Sequence, residues 1–264
     1  MNNPSKFSNW MRTNLKDAFS GLITQDIDFI IKRDDGHYLI AEEKNLKHAR
    51  TGPAQAVIYK MLDEILSTDN LFLRCHKITV DNKKIYVNEL QTIDIHDFLK
   101  DPTRIFFNDY DQSWFDKVLY FSLQYLWDGK GSPPKSKTEK ERTYNRSSLL
   151  KPFLDGHKVD YESIDWIFVN YVTGYYILLS EFNNNLGPLG QRINKVFENN
   201  KNGELKVYNP KSKCNYKYLG HYNIKYSFDD FGEINQFAIN NQKISVVEAI
   251  NVLNLDDREI EKFK

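Results

Sequence analysis

Between Asp26 and Lys44 the chain reads DIDFIIKR, then DDG, then HYLIAEEK. Two runs rich in β-branched and aromatic residues on either side of an Asp-Asp-Gly turn form a strong short-range hairpin signal, and no other segment limits the fold as tightly. With Gly36 closing a three-residue loop in the left-handed conformation that glycine adopts easily, Arg33 pairs with His37. Counting outward along both strands sets Asp28 opposite Glu42. Side chains alternate along a strand, so Ile27, Phe29 and Ile31 are expected on one face with Leu39 and Ala41. Asp28 is expected on the other with Glu42 and Lys44.

Like charges directly opposite on a sheet are destabilising, so a purely structural hairpin gains nothing from this pair. A divalent cation removes the penalty. Mg²⁺ is usually held by one or two carboxylates, with waters and substrate phosphate completing its octahedron. Lys44 shares that face and would orient or deprotonate an attacking water and stabilise charge developing on phosphorus. In outline this is a site for phosphodiester hydrolysis, with Mn²⁺ able to replace Mg²⁺.

The flanks extend the pattern. Residues 5–19 place Phe7, Trp10, Met11, Leu15, Ala18 and Phe19 on one helical face, and residues 52–67 do the same with Ala56, Ile58, Tyr59, Leu62, Ile65 and Leu66. Residues 71–80 and 84–88 read as strands, and 93–99 as a short helix. An Asp followed by Glu-x-Lys on the next strand, with a helix on either side, resembles the PD-(D/E)xK nuclease superfamily. That superfamily includes type II restriction endonucleases and RecB-like nucleases. The resemblance rests on Gly21, the DIDFII run with Asp28, and Glu42-Glu43-Lys44, and it covers about residues 5–90. Gln55 and Tyr59 on the following helix look like the QxxxY motif of the RecB-like branch. The leading Pro is missing: Gln25 and Asp26 stand there.

The resemblance implies an α/β, restriction-endonuclease-like αβββαβ core with a central mixed sheet flanked by helices. Asp28 and Glu42 would bind metal, with Glu43 adding its backbone carbonyl, and Lys44 would assist the water nucleophile. Gln55 and Tyr59 would act in support. Asp26 replaces Asp28 if the register slips by two. The implied partner is DNA, cut to leave 5′-phosphates, most simply by a site-specific restriction-type enzyme. A structure-specific or exonucleolytic RecB-like enzyme is the alternative, and a non-catalytic DNA-binding module with the nuclease fold is another. A homodimer is compatible with any of these.

Beyond residue 104 the texture shifts, which suggests a nuclease core at 1–104 and an accessory DNA-binding or substrate-selection module at 105–264, helical first and then β. Residues 113–127 and 161–182 read as buried aromatic helices and 204–244 as short strands. Ser245 and Glu248 form a capping box for a last helix. No internal repeat is visible. Charge is balanced, 36 basic against 36 acidic residues, but 130–151 and 192–225 are locally basic. Tyr216, Tyr218, Tyr222 and Tyr226 fall in one strand parity, with lysines in the other. The two cysteines and six histidines lack zinc-site spacing, and Gly187 to Gly190 is a turn, not a phosphate loop, so no nucleotide cofactor is expected. Few cysteines, no apolar run of membrane-spanning length and no signal-peptide pattern suggest a cytoplasmic protein.

Overall fold

The hairpin forms with the expected register. In the computed structural model, which describes residues 6–44, 53–81, 84–87, 91–94, 148–182, 184–200 and 216–255, strand β1 (Leu22–Lys32) pairs antiparallel with β2 (Tyr38–Glu43). Phe29 lies opposite Ala41 and Ile31 opposite Leu39. The turn closes with the Gly36 N–H donating to the Arg33 carbonyl at 2.9 Å, and Gly36 has φ +91°, a left-handed conformation that a side chain would strain.

Both faces of this hairpin are buried, so the expected division into one apolar and one polar face needs correction. Phe29, Ile31, Leu39 and Ala41 pack on one side. Ile30, Tyr38 and Ile40 pack on the other, where Ile27 joins them at an irregularity in the register between β1 and its other neighbour. Helix α1 (Lys6–Asn14) precedes β1. Helix α2 (Pro53–Leu66) follows β2 and buries Val57, Ile58, Tyr59, Met61 and Leu62 against the Ile30 face. It returns the chain to β3 (Phe72–Asp81), parallel to β2, and then to β4 (Lys84–Val87) and β5 (Gln91–Asp94). Residues 93 and 94, expected to begin a helix, therefore end a strand.

The second half holds α3 (Leu150–Gly156), β6 (Tyr161–Asn170), β7 (Tyr175–Glu181), α4 (Pro188–Asn199), β8 (Lys217–Phe228), β9 (Ile234–Ile239), β10 (Gln242–Ile244) and α5 (Val246–Leu253). Residues 161–182 are thus a β-hairpin and not a helix. Strands buried on both faces lose the polar alternation that reveals a strand, and a continuous apolar run is then indistinguishable from a buried helix. Gly187 to Gly190, expected to be a turn, starts α4, whose Leu189 and Gly190 N–H groups donate to the Glu162 carboxylate at 2.9–3.0 Å. The tyrosines of β8 do not share a face. A bulge beside Gly220, φ +129°, flips the parity, so Tyr218 packs on the α2 side and Tyr222 on the other. The capping box at Ser245 and Glu248 forms. The helix expected at 113–127, most of the basic stretch 130–151 and the boundary near residue 104 lie outside the described residues.

The ten strands of the described residues make one sheet in the order β10-β9-β8-β7-β6-β1-β2-β3-β4-β5. The class is therefore α/β, a large mixed sheet flanked by helices. Strands on either side of the expected boundary at 104 are neighbours in it, since β1 pairs antiparallel with β6.

The order is also a repeat that the sequence does not reveal. Helix, hairpin, crossover helix, parallel strand and antiparallel strands occur twice, from α1 to β5 and from α3 to β10, related by a pseudo-twofold axis between β1 and β6. The leading helices are exchanged. Helix α1 packs on the strands of the second unit through Phe7, Trp10 and Met11, and α3 packs on the first through Leu150 and Leu154.

A polar latch joins the units on the opposite face. Arg192 of α4 grips the buried Asp69 carboxylate through Nε and an Nη, both at 2.6 Å, and Tyr38 donates to the same group at 3.0 Å. The guanidinium holds the Asp69 carboxyl below the usual carboxylate range. Arg192→Ala should therefore cost about 2 kcal/mol of stability, because it strips a buried carboxylate of its charged partner. Urea unfolding measures the change, and an unaltered midpoint would contradict it.

Candidate active site

The site grows from the open end of the first hairpin. Glu42 is the last fully buried residue of β2, 4% exposed, and such a group survives in a core only when its oxygens are satisfied. Its partners come from two elements. On Oε1 it accepts hydrogen bonds from Lys44 Nζ at 2.5 Å and Gln55 Nε2 at 2.7 Å; on Oε2, from the Tyr59 hydroxyl at 2.5 Å. Lys44 Nζ also donates to Gln55 Oε1 at 2.9 Å. Residues four apart share one face of a helix, which is how α2 presents Gln55 and Tyr59 together. Burial, then the Glu42 charge, raises the Tyr59 hydroxyl far above its ordinary range. It is a fixed donor.

Asp28 faces Glu42 from β1. One of its oxygens accepts from the Glu43 backbone N–H at 2.9 Å. Its carboxyl is pushed far up, first by burial and then by the charges of Glu42 and Asp26. Asp26, the alternative ligand, opens into the adjacent cleft, where Gln25 Nε2 donates to it at 2.8 Å. The structure thus brings Asp28, Glu42, Lys44, Gln55 and Tyr59 into one network, with Asp26 beside it. The Glu43 side chain points elsewhere: its Oε1 accepts the Leu149 and Leu150 N–H groups at the start of α3, at 2.7 and 2.9 Å.

A cleft of about 1290 Å³ runs past this corner and continues to Asp165, Glu181 and Phe182 of the second unit. Its lining residues include seven carboxylates, Asp17, Asp26, Asp28, Glu42, Glu43, Asp165 and Glu181, against the cations Arg12, Lys16 and Lys151. Such a surface repels a polyanion unless cations are bound. Sequence reasoning missed Arg12, Lys16, Asp165 and Glu181, because nothing local marks residues that only the β1–β6 pairing assembles.

Among the described residues, no group of three or more His, Cys, Asp or Glu side chains is gathered into a metal-ligand set. The Asp28–Glu42 pair nevertheless fits a hard divalent cation: two carboxyl groups brought together at the hairpin end suit an ion such as Mg²⁺, which needs only one or two carboxylates from protein.

No family model and no solved structure matches this chain. An uncharacterized protein of Archaeoglobus fulgidus is 35% identical over 139 residues, covering 90% of that protein and 47% of this chain. The chain belongs to the same family as that protein. A second uncharacterized protein of the same organism is 44% identical over 64 residues, and the match spans 44% of its length and 24% of this chain. Among the described residues, no helix is long and apolar enough to cross a membrane.

Gln55 and Tyr59 give a direct test of the network. Gln55→Ala should slow the nuclease activity proposed below at least ~10-fold, about 1.4 kcal/mol of barrier, with little change in melting temperature, because it removes one bond from each of Lys44 and Glu42 without opening the core. Tyr59→Phe should slow it as well. Full activity in both variants would reduce the pair to packing.

Proposed function

We propose that the protein is a Mg²⁺-dependent DNA nuclease of the PD-(D/E)xK type that hydrolyses phosphodiester bonds to leave 5′-phosphates. The observation that carries this reading is the Asp28–Glu42 pair, two carboxyl groups brought together at the hairpin end, with Asp28 held by the Glu43 N–H and Lys44 bonded to Glu42 Oε1. Asp28 and Glu42 would hold the ion, which when bound supplies Lewis-acid polarisation of the scissile phosphate and the attacking water. The water oxygen forms its bond to phosphorus as the P–O3′ bond breaks, giving a 5′-phosphate and a 3′-hydroxyl. The water proton passes to solvent, and the departing O3′ takes one up.

The chain's own residues set the geometry. Lys44 donates to a carboxylate and to an amide oxygen, which hold its amine beside Glu42, where it would orient or deprotonate the water and offset charge on the phosphate. Tyr59 and Gln55 fix the Glu42 carboxylate in one orientation, and the Glu43 N–H fixes Asp28.

Between the restriction-type and RecB-like readings, the contact of Gln55 and Tyr59 with Glu42 favours the second, since that helix motif belongs to the RecB-like branch. A plasmid incubated with and without Mg²⁺ tests the function, and sequencing the ends separates the branches. Discrete fragments would indicate a restriction enzyme. Cleavage that persists in EDTA, or no cleavage of any DNA form, would overturn the proposal.

A further inference from the structure

The second unit has its own copy of the active-site corner. Strands β7 and β8 repeat the register of β2 and β3: Tyr38 pairs with Phe72 and Glu42 with Lys77 in the first unit, and Tyr176 with Tyr218 and Ser180 with Asn223 in the second. Both hairpins close on a glycine with positive φ, Gly36 and Gly174. Both crossover helices begin at a proline, Pro53 and Pro188.

The polar bonds repeat as well. Asp28 accepts from the Glu43 N–H at 2.9 Å, and Asp165 accepts from the Glu181 N–H at 2.8 Å. One residue further, Lys44 N donates to the Ile78 carbonyl at 2.7 Å and Phe182 N to the Ile224 carbonyl at 2.8 Å. Asp165 therefore stands for Asp28, Ser180 for Glu42, and Phe182 for Lys44. The hydroxyl of Ser180 is bonded to His221 Nε2 at 2.7 Å, and Phe182 packs against Tyr226 with the rings tilted and their centroids 4.5 Å apart. The corner keeps its aspartate and its backbone but lacks the second carboxylate and the ammonium. The two corners are adjacent: Ile27 pairs with Ile164, so Asp28 and Asp165 each follow the residue at the centre of the β1–β6 pairing, and both line the same cleft.

We infer that the chain is a fused pair of like units with one live centre and one blinded copy, so that each chain cuts a single strand per encounter and needs no second chain to do so. The inference rests on the nuclease reading above. A neutral serine and a phenyl ring cannot replace a metal-holding carboxylate and a charge-stabilising ammonium. The family also includes a chain little more than half as long, since 139 matched residues make up 90% of the Archaeoglobus fulgidus relative.

Calorimetric titration of the full chain with Mn²⁺ alone tests it, alongside supercoiled plasmid in Mg²⁺. The expected result is one ion per chain, retained in Asp165→Asn and lost in Glu42→Gln. Asp28→Asn, checked for folding by its melting curve, should show the same loss. Plasmid should pass to nicked circles at a rate proportional to chain concentration. Two ions per chain, a single ion lost in Asp165→Asn, or linear plasmid formed with no nicked precursor would overturn the inference and leave the nuclease reading standing. No ion bound and no DNA cut would overturn the nuclease reading, and the inference with it.

Discussion

In Asp28→Asn protein, DNA cleavage should fall roughly 1000-fold, about 4 kcal/mol of barrier, without loss of thermal stability. The two halves of that expectation have separate causes. Asparagine keeps an oxygen to accept the Glu43 N–H and presents an amide donor to Glu42, so it imitates the protonated aspartic acid that burial favours at this position. The folded chain therefore loses no bond. What it loses is the negative charge that would hold a cation at the scissile phosphate. Steady-state cleavage with a melting curve on the same sample checks both. Cleavage within tenfold of wild type would remove Asp28 from the metal site and leave Asp26, which opens on the same cleft, as the remaining candidate. Glu42→Gln should abolish cleavage too, but with a lower melting temperature, because the new amide nitrogen cannot accept from the donors that converge on it.

The second large effect is a stability that falls as pH rises in the absence of divalent cations. Asp28 is protonated in the fold and ionised in the unfolded chain across the interval from the ordinary carboxylate range up to about 9. Unfolding in that interval releases a proton, so the unfolded state gains on the folded one with every step toward alkaline pH. The contribution is fully present below the ordinary carboxylate pKa and is lost as pH climbs through the folded value. The melting temperature of metal-free protein should drop by several degrees between pH 5 and 9, roughly the size expected of one buried carboxyl. Asp28→Asn should flatten the curve. Added Mg²⁺ should raise the melting temperature more at the alkaline end, since metal and proton compete for the same oxygens. A melting temperature independent of pH and of Mg²⁺ would contradict the raised Asp28 carboxyl and the metal site together.

The two corners also account for the cleft's charge. Asp165 and Glu181 bring to the second corner the acidity of the first without its ammonium, and both carboxylates are committed inside the fold: Asp165 accepts from the Glu181 N–H, and Glu181 accepts from Trp166 Nε1 at 2.6 Å and from the Tyr226 hydroxyl. Their job is to hold a hairpin end in shape. Only the first corner combines a second carboxylate with a lysine.

What the sequence determined by itself was local. The Asp34-Asp35-Gly36 turn fixes the hairpin register, and that register alone puts Asp28 opposite Glu42; the apolar stripe of 53–66 fixes α2, and a four-residue spacing puts Gln55 and Tyr59 on one of its faces. Short-range dihedral preferences and periodicity carry such information, and they are written in neighbouring residues. Tertiary structure decided the rest. Residues 161–182 became two central strands because the sheet is covered on both faces, which erases the alternation that distinguishes strand from helix. The β8 tyrosines split between faces at one bulge beside Gly220. The repeat stayed hidden because a fold is kept by turn glycines, burial and register, which different side chains satisfy equally well, whereas chemistry depends on single atoms. Replacing Glu42 and Lys44 by Ser180 and Phe182 leaves the backbone pairing unchanged and removes the groups that would hold a cation.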